Sequence, residues 1–140
     1  MTIALVDKLD TKIKVKRAKG IGGVLQKQMK SLETNEKFLE LYSDINLTFL
    51  LNATDTSHAA ILIIKQGKIF IESINNEDKK SLKKKVLNWD SMLATSTMLF
   101  LDIAMGKLSV GKMGKKIVAR KMSAKGLKNL MVLKKIFALL

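Results

Sequence analysis

The sequence predicts an α+β fold: a five-stranded, mostly antiparallel sheet covered by helices, in the order helix, four strands, helix with a short helical segment, strand, helix. Three observations predict it. Apolar residues recur at helical spacing before residue 42 and after residue 90, they alternate or run unbroken between residues 45 and 74, and turn-forming residues separate the runs. At 140 residues, 47% of them hydrophobic, the chain suffices for one well-buried core and is too short for two. Residues 1–20 read as a basic N-terminal arm or extra element and residues 21–140 as a single domain.

In the arm, Lys12-Ile13-Lys14-Val15-Lys16 alternates like a strand and equally suits a frayed basic segment. Gly20-Ile21-Gly22-Gly23 then offers backbone amides beside Arg17 and Lys19, but it matches neither the Rossmann nor the P-loop pattern and reads as a hinge. Val24 to Tyr42 has helical spacing, with Leu25, Met29, Leu32, Glu36 and Leu39 on one stripe; Thr34 is a candidate cap for a separate second helix.

The period changes at Ile45, where Ile45, Leu47, Phe49 and Leu51 alternate with Asn46, Thr48, Leu50 and Asn52, as in a strand with one buried face. Ala59 to Ile64 is apolar throughout, as in a strand covered on both sides. Gln66-Gly67 turns the chain into the strand Lys68 to Ile74. After the turn Asn75 to Asp78, Leu82 to Trp89 reads as a fourth strand, its Lys83-Lys84-Lys85 marking an exposed edge or end, so that the four strands form an antiparallel meander.

Asp90 or Ser91 caps the next expected helix, which runs to about Met105 with Met92, Thr95, Leu99 and Ile103 on one face, and Gly106 stops it. Lys115 to Lys121 reads as the fifth strand, with Gly106 to Val110 as an alternative placement. Ser123 then opens a terminal helix carrying Leu127, Leu130, Met131, Leu133 and Phe137.

Charge is segregated along this order. Residues 1–30 hold eight Lys or Arg against Asp7 and Asp10, a balance of +6; residues 31–102 balance at −2; residues 103–140 carry ten basic residues and no acid. Cations and apolar residues thus share the C-terminal part, a combination suited to an anionic, partly apolar partner. Without Cys, disulfides, thiolate catalysis and Cys-ligated metals are excluded, which is compatible with a reducing compartment. No run approaches the roughly 20 apolar residues of a membrane span. Ile3 to Val6 stops at Asp7-Lys8, short of a signal peptide. The expectation is a soluble cytoplasmic protein with peripheral membrane contact.

Catalytic chemistry finds little purchase. His58 is the single histidine and reads as a solvated turn residue, while Asp44, Asp55, Glu72, Asp90 and Asp102 show no pairing or metal-ligand spacing and read as caps, turns and solvated faces. No cofactor or metal is expected.

Asn35-Glu36-Lys37-Phe38-Leu39-Glu40-Leu41, the strand Ile45 to Asn52 followed by Thr54-Asp55, the Gly67-Lys68 hairpin, Val86-Leu87-Asn88-Trp89-Asp90, Gly106-Lys107-Leu108, and the basic stretch Lys115 to Lys121 leading to Gly126-Leu127-Lys128 follow one another in the chain. In their order and spacing over Ser31 to Phe137 they resemble the sterol carrier protein domain family. The chain departs from the family's pattern in a short linker between Leu108 and Lys116 carrying Gly111 and Gly114, and in lacking a glycine exit after Ile117 to Met122.

The resemblance implies a non-enzymatic lipid-binding or lipid-transfer domain over residues 21–140, with a fatty acyl, isoprenoid or sterol-like ligand in an apolar tunnel between sheet and helices. Eight Met residues suit such a pocket, because the thioether repacks around varied shapes. The candidate lining residues are Phe49, Leu51, Ile61, Ile63, Phe70, Met92, Leu99, Phe100, Ile103, Met113, Val118, Leu130 and Leu133. Each also reads simply as core. Docking on an anionic membrane surface falls to Lys107, Lys112, Lys115, Lys116, Arg120, Lys121, Lys125 and Lys128. The alternative is a nucleic-acid-binding protein using the same basic surface, against which stands an aromatic content of 5%.

Overall fold

The structure, a computed structural model, describes residues 20–104, 106–107, 110–120 and 122–140. The expected strand at residues 12–16 lies outside them. Helix α1 is described over Gly20–Met29, so Gly20 to Gly23 are helical and not a hinge before the helix. A 3-10 turn, Lys30–Thr34, follows, and Asn35, in extended conformation, opens α2, Glu36–Tyr42, by accepting the Phe38 backbone N–H at 2.9 Å. Asn35 and not Thr34 is the cap. This break resets the helical phase: Leu25, Met29, Leu32 and Phe38 are buried, while Glu36 swings to the exposed side.

Strands β1, Asn46–Ala53, β2, His58–Lys65, and β3, Lys68–Asn75, form an antiparallel meander, three strands of the four expected. Gln66 and Gly67 both have positive φ, 49° and 77°, which is the type I′ geometry favoured between two right-twisted strands. A Cβ on Gly67 would stand 2.8 Å from the Leu39 side chain, so the turn also requires the missing side chain.

The segment Leu82 to Trp89 is not a strand. It consists of a 3-10 turn, Lys79–Leu82, whose first turn is capped by Asp78, and a short helix α3, Lys84–Leu87. The fourth strand is β4, Ser91–Thr95, which lies parallel to β1 with Phe49 opposite Ser91. It replaces the start of the expected helix. Ser91, Leu93 and Thr95 are the buried positions of this strand, so two of the three inward residues are polar and hide the alternation. Ser91 is satisfied by donating its hydroxyl to the Gly126 carbonyl at 2.9 Å.

Helix α4, Thr97–Ala104, is capped from a distance: the Asp55 carboxylate, in the β1–β2 turn, accepts both the backbone N–H and the hydroxyl of Thr97 at 2.9 Å. These two bonds hold the Asp55 carboxyl below its ordinary pKa, the backbone bond contributing most. At its other end Gly106 donates to the Ile103 carbonyl and Lys107 to the Asp102 carbonyl, so Gly106 stops the helix as expected.

The fifth strand is also displaced. Residues Val110–Val118 form helix α5, and β5 is Met122–Lys125, antiparallel to β4. Ile117 packs on the core while Lys115 faces water, a helical division of labour that the alternating reading of Lys115 to Lys121 overlooked. The alternative placement at Gly106 to Val110 ends where α5 begins. Helix α6, Leu127–Phe137, starts after Gly126 at φ 70°, because Ser123 to Lys125 are held in β5.

The five strands form one mixed sheet in the order β3-β2-β1-β4-β5. Residue parity along each strand divides its side chains between two buried clusters. On one face Phe49, Leu51, Leu62, Ile64, Ile69 and Leu93 pack beneath α1, α2, α4 and α6. On the other, Leu50, Ala59, Ile61, Ile63 and Phe70 are covered by Leu82, Trp89 and Leu87 from the β3–β4 crossover. The Trp89 indole N–H donates to the Leu82 carbonyl at 2.9 Å, pinning that crossover to itself. The exposed side of β3 is blunted by α1 and its 3-10 extension: the Glu33 carboxylate accepts the Ile69 N–H at 2.8 Å and Gln26 donates to the Ile71 carbonyl at 3.3 Å.

Candidate functional site: an apolar cavity in the helical layer

A cavity of about 790 Å3 opens between α1, α4 and α6. Its walls follow from helical periodicity. Helix α6 sends Leu130, Leu133, Ile136 and Phe137 toward the sheet, and the neighbouring stripe Met131, Lys134, Lys135 and Ala138 turns toward the cavity. Helix α4 contributes Phe100, Leu101, Ile103 and Ala104; α1 contributes Leu25 and Gln28; Gly106 and Leu140 complete the lining. Phe100 and Phe137 meet edge to face, their ring centroids 6.0 Å apart, and join the cavity to the core.

Electrostatically the space is one-sided. Its polar side chains are the Gln28 amide and the Lys134 and Lys135 ammonium groups, and no carboxylate side chain lines it. Lys134 is half-buried and Lys135 exposed, so the cationic groups mark the side facing solvent. Such a shape accommodates a largely apolar molecule and offers cations to any negative end that reaches the mouth.

The sequence-derived lining residues separate in space. Phe100 and Ile103 line this cavity; Leu130 and Leu133 lie beneath it in the core, with Phe49, Leu51 and the half-buried Leu99 in the same cluster. Ile61, Ile63, Phe70 and Met92 belong to the opposite face of the sheet. The side chains of Met113 and Val118 lie outside the described ones. Sequence reasoning missed Leu25, Gln28, Leu101, Ala104, Gly106, Met131, Lys134, Lys135, Phe137, Ala138 and Leu140; the stripe one step round α6 from Leu130 and Leu133 was the signal for Met131 and Lys134.

The basic residues separate similarly. Lys112, Lys115 and Lys116 stand on α5 and Lys128 on α6, with Lys107 after α4 and Arg120 after α5. Arg120 takes a left-handed conformation, φ 60°, as the chain leaves the helix. Lys125 departs from this group: Met122 and Ala124 of β5 face the helical side, so Lys125 points with its partner Met92 to the crossover side. Lys121 lies outside the described residues. His58 sits at the start of β2, its Nδ1 3.2 Å from Ser57 Oγ in an exposed turn, and among the described residues no carboxylate orients the ring. No helix among the described residues is long and apolar enough to cross a membrane.

No protein-family model matches the sequence. No curated protein matches it either. Solved structures do match in three dimensions. The stereoselective inverting sec-alkylsulfatase Pisa1 from Pseudomonas sp. aligns with a TM-score of 0.58 at 15% identity over 89% of this chain. A double mutant of the same sulfatase gives 0.57 at 17% identity. This chain spans 17% of the length of that enzyme. The ubiquinone synthesis protein UbiJ-SCP2 aligns with a TM-score of 0.51 at 11% identity, covering 86% of this chain and 84% of that one. With UbiJ-SCP2 matched over nearly its whole length, and with helices and a five-stranded sheet in the order described, the chain has a sterol-carrier-protein-like fold.

Proposed function

We propose that this chain is a non-enzymatic carrier of an apolar ligand, held in the cavity between α1, α4 and α6, and that it docks on anionic membrane surfaces through the basic helical side. The cavity carries this reading: its 790 Å3 is within the range of about 300–1,000 Å3 typical of small-molecule sites, and its walls are mainly aliphatic and aromatic. The sterol-carrier-like fold supports the same role. Affinity would come from burial, at roughly 25 cal/mol per Å2 of apolar surface removed from water. Docking would draw on Lys115, Lys116, Arg120 and Lys128, each worth about 1 kcal/mol near an anionic surface.

The test is extraction. The chain is purified after nuclease treatment and a high-salt wash, extracted with organic solvent, and its lipid quantified by mass spectrometry. The expected result is near-stoichiometric lipid of restricted class, lost in Ala104→Phe, whose ring fills the cavity from α4, while the thermal transition of that variant persists. Absence of lipid from the parent, or equal lipid in the filled variant, overturns the cavity assignment. The charge-reversed variant Lys115→Glu/Lys116→Glu/Arg120→Glu should float poorly with phosphatidylserine vesicles; retention of nucleic acid by the parent with indifference to vesicles would reassign the basic side.

A further inference from the structure

The β3–β4 crossover carries a second cluster of cations on the opposite face of the sheet. Lys79, Lys80, Lys83, Lys84 and Lys85 are all exposed, and Val86 beside them is 60% exposed. Two of the three acids of this segment are turned to the backbone: Asp78 accepts the Lys80 N–H at 3.0 Å and Asp90 accepts the Thr48 N–H at 2.8 Å, while the third, Glu77, is exposed and leaves the five lysines in excess. Lys84 rests over the Trp89 ring, 5.9 Å from its centroid.

The sheet beneath extends the same charge. Lys65 and Lys68 are direct cross-strand partners at the β2–β3 hairpin, and by parity with Ile63 and Phe70 both point to the crossover face. Like charges in this position repel and destabilise a strand pair. The segment rejoins the sheet through Asp90 at Thr48, two residues from Asn46, whose partner is Lys65, so the hairpin lysines lie at the end of the face that the crossover reaches. Glu72, on the same face of β3, is half-buried.

We propose that the crossover face is a second docking surface for anionic bilayer lipid, so that one monomer bridges two membranes, one on its helical side and one on its crossover side. This rests on the docking assigned above to the helical side. Two features select lipid as the occupant: the Lys65–Lys68 pair, which has no ion-pair partner among the described residues, gains from a neighbouring layer of phosphates, and Val86 projects an apolar side chain among the cations, which suits the headgroup boundary. For a ligand carrier, bridging places donor and acceptor membranes within one molecule's thickness.

Vesicle clustering tests it, followed by light scattering alongside flotation, with phosphatidylserine-containing and pure phosphatidylcholine vesicles and the solution mass of the protein measured in parallel. The parent should float with and cluster the anionic vesicles. Lys80→Glu/Lys83→Glu/Lys85→Glu should still float, but its clustering should fall by at least about tenfold, the loss of roughly three lysines' attraction. Lys68→Glu creates an opposite-charge pair with Lys65; it should keep or raise the melting temperature and still weaken clustering, which separates the effect from misfolding. Flotation of the parent without clustering, or clustering that survives the triple substitution, overturns bridging and leaves the helical-side docking intact. Failure of the parent to float overturns both. Loss of nucleic-acid binding alone in the triple variant overturns the assignment to lipid.

Discussion

The two faces of the sheet are built from the same three-strand meander and are closed in different ways. On the helical side, β-strand residues such as Phe49, Leu51 and Leu62 are fully buried under four helices, and a cavity remains between those helices. On the crossover side a single irregular segment places Leu82 and Trp89 on Ile61, Ile63 and Phe70, each of these still slightly exposed. Rigid cylinders leave space at their junctions, whereas an irregular strand of chain drapes onto the surface below it. The face with more cover is therefore the one that keeps a cavity, and the thinner cover is pinned to itself by one indole hydrogen bond and to β1 by the bonds between Asp90 and Thr48.

The largest expected effect breaks this contrast energetically. Phe49→Ala removes a fully buried ring from the helical side and should cost about 3–5 kcal/mol, against about 2 kcal/mol for Leu82→Ala on the crossover, compared by urea denaturation. Equal costs would mean that the crossover packs as tightly as the helical layer. An intermediate effect tests the place where the turn from β5 into α6 packs on the start of β4: Gly126 sits at φ 70°, and a Cβ there would collide with Ser91 Oγ and stand 2.9 Å from the Asp90 carbonyl oxygen. Gly126→Ala should therefore cost roughly 2 kcal/mol, since both backbone strain and displacement of the β4 start are involved.

The smallest effect concerns the anchor of α4, the helix that lines the cavity. The folded-state pKa of Asp55 is depressed by its bonds to Thr97, so the stability it contributes is present above the unfolded value and is lost as pH falls through the folded one. The melting temperatures of the parent and Asp55→Asn should thus differ at neutral pH and converge in acid. A difference that persists undiminished at pH 2 would show that the contact acts without its charge.

The errors in reading the strands share a cause. β1, β2 and β3 were legible because their buried positions are apolar and their turn, Gln66-Gly67, has its own chemistry. β4 was not, because its inward Ser91 and Thr95 are polar, and Ser91 becomes acceptable only through the Gly126 carbonyl, remote in sequence. The crossover imitated a strand because Leu82 and Trp89 are buried with lysines between them, although Asp78 and Asn88 set a turn and a left-handed helix end. Of the cavity, Phe100 and Ile103 were legible as apolar residues on a helix; Gln28, Lys134 and Lys135 were not, since nothing local distinguishes a lysine at a cavity mouth from a solvated one.

By itself the sequence determined an α+β domain with one meander, the apolar residues that form its core, and the concentration of cations after residue 102, because composition and short-range periodicity carry that information. The tertiary structure decided which face of the sheet each apolar residue serves, that β4 runs parallel to β1, and that the helices meet around a cavity. It also divided the lysines between two opposite surfaces. Those outcomes depend on strand order and helix packing, which arise from contacts between residues far apart in the chain, where no local pattern records them.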